Sequence, residues 1–515
     1  MKSKVSLLLL TCGTNACYHV AKRLKECFED KIRIIGADIN KGWMVPVLPY
    51  LDSFYQCPFT SDSTYYQFVL DICKNESIDY ILPSFDADQK LFYKGSDDLQ
   101  KMGVISLGIT TDALNIYQSK EDTNRFLETN QLPIPRCYNI SEVNKKEEYF
   151  CKPRNGVGSI GAKKMTGLEI LTSQNKDLII EEICAEPEIT LECFNYKGKV
   201  YSIARERLGT KSGVCTKARV FHDKELESIA QQFANIIELP YIFNLQFMQN
   251  AHGKWVITDV NLRTAGGMSI SYAAGWDEVE ALGKIMLNAD DVVSSVNVQP
   301  KEQFIIRAYT DIVTKQVDKR IAFDLDGTLL DSRERHRVVM ETVLKENNLI
   351  LDTSDLLSFK AEGHNNIAWL LKKGVPEDIA KAINKRWVDL IEDERFLAED
   401  ALYSNTIDVL SKLSTNNYLV LITARNNRDN ANKQIERVGI KQFFDKIIVV
   451  ETSSKTPELK ANYLKSLNID EFYGDTESDM NAAQKADCIF YASTRGFRSP
   501  GFWHRYNVKH SELFR

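Results

Sequence analysis

The sequence predicts a multidomain α/β protein in three parts: a small doubly wound α/β domain, an α+β region, and a second α/β domain carrying a helical insertion. Three observations predict it. The chain opens with a strand, a turn, a helix and a second strand; near residue 112 the pattern changes to short strands separated by glycines and charges; and a fresh apolar strand, Arg320-Ile321-Ala322-Phe323, comes after a polar segment near Asp311 to Lys319.

Val5 to Leu10 is an apolar run suited to a buried parallel strand, Thr11 to Asn15 a turn, Ala16 to Phe28 an amphipathic helix, and Ile32 to Ala37 a second strand ending at Asp38. Tyr80-Ile81-Leu82 and Val104 to Leu107 are further strands alternating with helical stretches, which sets the first domain at residues 1–111. The second, 112–312, begins with a helix around Lys120 to Asn130 and the turn Leu132-Pro133-Ile134-Pro135. The third, 318–515, has helical patterns over about 333–400, then alternating strands and helices to the end.

With 515 residues, 43% hydrophobic and 26% charged, the chain is long enough for several globular cores. The run Leu7 to Leu10 is far too short for a membrane span or a secretory signal, so the expectation is a cytoplasmic protein with no membrane partner. Eleven cysteines without a C-x-x-C pair or a Cys/His cluster imply reduced thiols, not disulfides or zinc. A net charge of −6 with no long basic run argues against a nucleic-acid partner. The sequence leaves homo-oligomerisation open.

The stretch KPRNGVGSIG, Lys152 to Gly161, contains a literal G-x-G-x-x-G, but a dinucleotide turn must open a helix. The next residues, Ala162 to Gly167, are too polar and glycine-interrupted to form one. A loop of small residues behind a lysine suits phosphate instead: backbone N–H groups wrap the oxygens and Lys152 supplies charge. Downstream, NLQFMQNAHGKWVITDVNLR presents Gln246 on one strand and Asp259, Asn261 and Arg263 at period two on the next. That spacing puts a carboxylate, an amide oxygen and a guanidinium on one face, fit for Mg²⁺ and phosphate.

These pieces, with SKEDTNRFLETNQLPIP before them and IIEEICAEPEITLECF between, resemble the ATP-grasp superfamily over roughly residues 1–310, especially its carboxylate-amine ligases and the carbamoyl phosphate synthetase large subunit. The resemblance implies a Rossmann-like pre-ATP-grasp domain followed by an ATP-grasp α+β fold. It implies ATP phosphates on Lys120, Lys152 and the loop residues Gly156, Gly158 and Ser159; the adenine edge on Glu181 or Glu182; the ribose on Glu188; and Mg²⁺, with Mn²⁺ as an alternative, on Asp259 and Asn261 near Gln246. Arg263 would stabilise the transferred phosphoryl group. The family usually has Glu where this chain has Asp259, and Pro where it has Leu262. Arg205 and Arg207 are candidates to clamp an anionic substrate, with a solvated strand face as the alternative.

RIAFDLDGTLLDS delivers Asp324 and Asp326 two residues apart at a strand's C-terminal end, an arrangement suited to a nucleophile and an acid/base group around a cation. YLVLITAR then ends a strand at Thr423, SSKTPELKANYL sets Lys455 before a helix, and FYGDTESDM brings Asp475 and Asp479. In this order the four segments resemble the haloacid dehalogenase superfamily, a Rossmannoid domain with a helical cap. The resemblance implies that Asp324 attacks phosphorus and Asp326 serves as acid and base. Thr423 and Lys455 would hold phosphoryl oxygens, and Asp324, the backbone carbonyl of Asp326 and Asp475 would hold Mg²⁺, with Asp479 in support. Lys460 rivals Lys455; the latter is preferred for its place in the loop before the helix. In the cap, FKAEGHNN offers Lys360, His364 and Asn365 as specificity contacts.

Together the resemblances imply an ATP-dependent ligase joining a small-molecule carboxylate to an amine, coupled to a phosphatase acting on a phosphorylated metabolite or on the ligation product. A phosphatase regulated by a nucleotide-binding domain, and an enzyme whose product is an acyl phosphate, are the alternatives.

Overall fold

The computed structural model describes residues 4–117, 119–154, 161–173, 177–211 and 213–513, so the loop glycines Gly156 and Gly158, and Ser159, lie outside the described residues. The chain divides into two units, Met1–Thr314 and Lys315–Arg515.

The first unit opens with a five-stranded parallel sheet of order β3-β2-β1-β4-β5, built from β1 (Val5–Leu10), β2 (Ile32–Asp38), β3 (Ser53–Gln56), β4 (Tyr80–Leu82) and β5 (Ile105–Ser106). The leucine run is buried because both sheet faces are covered. Leu7 and Leu9 pack with Val20 and Leu24 of the helix Asn15–Phe28, while Leu8 and Leu10 pack with Val69 and Ile72 on the other face. The predicted strand Val104 to Leu107 shrinks to two residues at this sheet's edge.

Next comes a three-stranded antiparallel sheet, β7-β6-β8, from β6 (Glu148–Pro153), β7 (Lys163–Thr166) and β8 (Leu178–Glu181). The strand β6 runs through Pro153, past the point where a proline would be expected to stop it. Pairing with β7 ends at Cys151, so the N–H that Pro153 lacks faces no partner strand.

A six-stranded sheet of order β13-β12-β9-β10-β11-β14 completes the unit: β9 (Ala185–Tyr196), β10 (Lys199–Lys211), β11 (Val214–Phe221), β12 (Ile242–Gln249), β13 (Trp255–Asn261) and β14 (Gln303–Ile306). In it Gln246 faces Asp259 directly across the β12–β13 pair.

The second unit is a parallel sheet, β19-β18-β15-β20-β21-β22, with a helical insertion. Its strands are β15 (Lys319–Phe323), β18 (Asn417–Ala424), β19 (Lys446–Val450), β20 (Glu471–Gly474), β21 (Ile489–Ala492) and β22 (Lys509–His510); β16 (Leu330–Asp331) and β17 (Ala401–Leu402) pair at the base of the insertion. The insertion has its own core of Val339, Val343, Trp369, Ile383 and Trp387. Among the described residues no helix is long and apolar enough to cross a membrane, and all eleven cysteines are free thiols.

Candidate active sites

In the first unit the ends of β6 and β13 meet the helix Lys120–Thr129 around a cavity of about 260 Å³. Lys120, Lys152, Arg154, Asp259 and Asn261 line it, and Tyr117 closes one wall. Lys152 is buried, its Nζ 2.7 Å from Glu181 Oε1 and donating to the Thr258 carbonyl at 3.2 Å. Asn124 Nδ2 also donates to Glu181 Oε1, at 2.9 Å. Lys120 Nζ lies 3.5 Å from Asp259 Oδ1, whose other oxygen accepts from Asn261 Nδ2 at 3.1 Å. Arg263 lies beyond the end of β13, yet its Nη2 donates to Asn261 Oδ1 at 3.3 Å and its Nε to Asp86 Oδ1 at 2.7 Å. Sequence patterns do not point to Asp86, the first residue of the helix Asp86–Leu91 after β4, because nothing local to it marks a partner 177 residues away.

Several predicted residues stand outside the lining: Glu181, which pairs with Lys152 behind it, Gln246, Arg263, Glu182 and Glu188. Glu182 accepts from the Arg136 backbone N–H at 2.8 Å and lies outside the cavity lining, and Glu188 is ion-paired with Arg207 at 2.7 Å. A cation site fits what remains. Asp259 and Asn261 line the cavity, and their carboxylate and amide oxygens are hard donors that would hold Mg²⁺ together with water and phosphate. Gln246, neutral and opposite Asp259, adds no charge.

Arg205 is not a substrate clamp. It is buried, paired with Glu192 at 2.6 Å and donating to the Gly267 carbonyl at 2.8 Å, in a cluster that also holds Ser271 and Glu278. Neither carboxyl oxygen of the buried Glu278 has a hydrogen-bond partner among the described residues. Burial, then the neighbouring Glu192, holds Glu278 well above the usual carboxyl range. Folded protein therefore retains a proton that the unfolded chain releases above about pH 4.3, so this group's contribution makes stability fall as pH rises. Glu278→Gln will remove that contribution: the melting midpoint of the N-terminal unit, followed by calorimetry, rises by about 2–4 °C at pH 8 and changes little at pH 4.

In the second unit β15 ends at Phe323 and hands Asp324 to the sheet's C-terminal edge, its N–H donating to the Tyr473 carbonyl at 2.8 Å. Asp475 follows β20 directly, and ligand oxygens of Asp324, Asp475 and Asp479 lie within 4.8 Å of one another, all buried. The backbone makes room for them: Gly327 has φ +69°, and a Cβ there would lie 1.9 Å from Asp475 Oδ2. Thr423 is buried near the end of the neighbouring strand β18.

The lysine at the carboxylates is Lys460, not Lys455. Lys455 is exposed at the start of the helix Thr456–Ser466, whereas Lys460 Nζ lies 2.6 Å from both Asp324 Oδ1 and Asp479 Oδ1. The helix buries Thr456, Lys460 and Leu464, a four-residue spacing that points Lys460 inward. Lys460→Met will lower phosphatase kcat by about 10²–10³-fold, while Lys455→Met stays close to wild type; steady-state phosphate release distinguishes them.

Three carboxylates against one ammonium leave negative charge in a buried site. Burial pushes Asp324 up to about 7 against the pull of Lys460, and Asp475 Oδ1 is buried with no partner among the described residues. A divalent cation suits this set. The side chain of Asp326 stands apart, gripped by Arg335 at 2.5 Å and by Arg425. Although burial opposes it, the Arg425 and Arg335 guanidiniums hold Asp326 well below the usual carboxylate range. In the cap, His364 stacks on Phe359 and Asn365 caps the helix Asn366–Lys372, so local structure occupies both.

Three family models match successive parts of the chain. Residues 7–107 match the family model of PylC-like N-terminal domains, 174–312 that of ATP-grasp in the biosynthetic pathway with Ter operon, and 321–492 that of haloacid dehalogenase-like hydrolases. A phosphoglycolate phosphatase from Rhodobacter capsulatus is 27% identical over 186 residues, 35% of this chain and 85% of the relative. Among solved structures, a haloacid dehalogenase-like hydrolase from Streptococcus pneumoniae (22% identity, TM-score 0.32) covers 37% of this chain and 92% of its own. N5-carboxyaminoimidazole synthetase from Staphylococcus aureus with ADP (12%, TM-score 0.43) covers 59% and 82%.

The chain thus joins two enzyme classes. Behind a PylC-like N-terminal domain it carries an ATP-grasp ligase domain, which uses ATP and Mg²⁺, and after that a haloacid dehalogenase-like phosphatase domain, which uses Mg²⁺.

Proposed function

We propose that the ATP-grasp unit phosphorylates a small-molecule carboxylate and passes the acyl group to an amine, and that the phosphatase removes a phosphate from one substrate or from the ligation product. The observation that supports it is that groups suited to phosphoryl chemistry gather at each site: Lys120, Lys152, Asp259 and Asn261 around one cavity, with Arg263 hydrogen-bonded to Asn261, and Asp324, Lys460, Asp475 and Asp479 in one cluster. Phosphoryl transfer depends on such positioning and charge neutralisation more than on covalent chemistry by the protein.

At the ligase site Lys120 and Lys152 draw the ATP phosphates toward Asp259 and Asn261, and Arg263 steadies the group in transfer. At the phosphatase site a carboxylate oxygen of Asp324 attacks phosphorus as the ester P–O bond breaks; because its two arginines keep Asp326 ionised, the departing alcohol takes its proton from the phosphomonoester monoanion or from water instead of from Asp326 as expected, and water then hydrolyses the aspartyl phosphate. Mg²⁺ held by Asp324 and Asp475 would neutralise phosphoryl charge there, a task Lys460 shares. Arg335 and Arg425 keep Asp326 ionised, the form that takes a proton from the attacking water. Similarity to a phosphoglycolate phosphatase supports a small phosphorylated metabolite as substrate.

The test is ADP release from purified protein with ATP and Mg²⁺ against carboxylate and amine pairs, with Asp324→Asn as partner variant. ADP that appears only with a particular pair, and a phosphorylated conjugate that accumulates in the variant, support ligation followed by dephosphorylation. Phosphate release that needs Asp324, with no acceptor-dependent ADP, overturns the ligase half and favours a regulatory ATP site.

A further inference from the structure

The phosphatase cap buries a cation that has no anion among the described residues. Lys360, in the last turn of the helix Leu356–Ala361, places its Nζ 2.9 Å from His336 Nδ1 and 3.1 Å from Asn366 Oδ1, both neutral partners. The rings of Trp387 and Phe497 stand 4.8 and 5.7 Å from it. Nearby cations are answered: Arg335 pairs with Asp326 and Asp400, Arg425 with Asp326, and Arg498 with Glu477. Among the described residues no carboxylate pairs with Lys360. An ammonium buried among aromatic faces without a counter-charge is costly, and burial, with Arg498 and Arg335 facing it, draws it down to about 7.

Its place makes that cost intelligible. The His336 ring that Lys360 touches lies 4.3 Å from the Phe497 ring, and the Phe497 N–H donates to Asp475 Oδ2 at 2.7 Å. Next to His336, Arg335 holds Asp326. Lys360 is thus one side-chain layer from the catalytic carboxylates, on the cap side, where the part of a small phosphate ester remote from phosphorus would lie.

We infer that Lys360 is a specificity contact that receives a second anionic group, a carboxylate or a second phosphate, on the phosphomonoester that this domain hydrolyses. The inference rests on the phosphatase reading. His336, Asn366 and the two aromatic rings hold the ammonium in place, and the incoming anion supplies the charge it lacks. A substrate without that anion leaves the lysine uncompensated and binds more weakly.

The experiment measures kcat and KM of the full-length protein, with Mg²⁺, on two matched pairs of esters: 3-phosphoglycerate against glycerol 3-phosphate, and propane-1,3-diol bisphosphate against its monophosphate. Wild type should prefer the acidic member of at least one pair, and the pair preferred tells carboxylate from phosphate. In Lys360→Met the ratio of kcat/KM between members of that pair should fall by about 10–100-fold, chiefly through KM, and Lys360→Arg should restore part of it. The ratio is independent of the fraction of correctly folded protein. No preference in wild type for either acidic ester, or a ratio within about threefold of wild type in Lys360→Met, overturns the inference while leaving the phosphatase reading standing. Absence of Asp324-dependent hydrolysis of all four esters and of p-nitrophenyl phosphate overturns both.

Discussion

Asp324→Asn will abolish phosphate release from phosphomonoesters, by at least about 10⁴-fold in kcat, if Asp324 is the nucleophile as proposed. The proposal favours Asp324 for that role because each neighbouring carboxylate is held otherwise. Asp479 is tied through Oδ2 to Thr476 at 2.7 Å and through Oδ1 to Lys460, so it cannot approach a substrate phosphorus. Asp326 is held by two guanidiniums. Asp475 accepts from the Phe497 N–H and lies against the Gly327 turn. Asp324 alone combines a position at the strand end with a single lysine contact. The amide in the variant is close to isosteric, and stability changes little; it rises if anything, since one of three buried carboxylates is neutralised. Rapid-quench detection of an acid-stable phosphoprotein in wild type, absent in the variant, checks the role. A variant that retains more than about a tenth of wild-type turnover would assign the nucleophile elsewhere.

Much of this was legible in the sequence because strand ends carry the chemistry. The leucine run of β1 and the strand Lys319–Phe323 are buried on both faces, so their pattern is plain, and the residue after such a strand falls on the functional edge. That is why Asp324 and Asp475 could be picked out. Period two likewise placed Asp259 and Asn261 on one face. What failed was information carried by tertiary partners. Lys455 and Lys460 differ by five residues and are chemically alike; only the buried face of their helix separates them, and a loop position outweighed that signal. Arg205 and Glu188 looked available because their partners, Glu192 and Arg207, lie on neighbouring strands, and cross-strand register is not written in either segment alone. Asp86 and the Arg335–Asp326–Arg425 grip come from distant segments for the same reason.

The other large effect is expected at Lys152. Lys152→Met should reduce ATP-dependent ADP formation by about 10²–10³-fold, the usual cost of losing one oriented charge on a transferring phosphoryl group. Lys152 and Glu181 are both almost fully buried and 2.7 Å apart, so the single variant also strands a carboxylate and is expected to cost about 3–5 kcal/mol of stability. Loss of activity alone would therefore be ambiguous. The double variant Lys152→Met with Glu181→Gln separates the causes: with the carboxylate neutralised, and Asn124 still able to donate to the amide oxygen that replaces it, the melting midpoint returns most of the way to wild type. If Lys152 acts on ATP phosphates, ADP formation stays low in the stable double variant and KM for ATP remains high. If Lys152 serves only to neutralise Glu181, activity recovers with stability, and phosphate binding must then rest on Lys120 and Arg154, which line the same cavity.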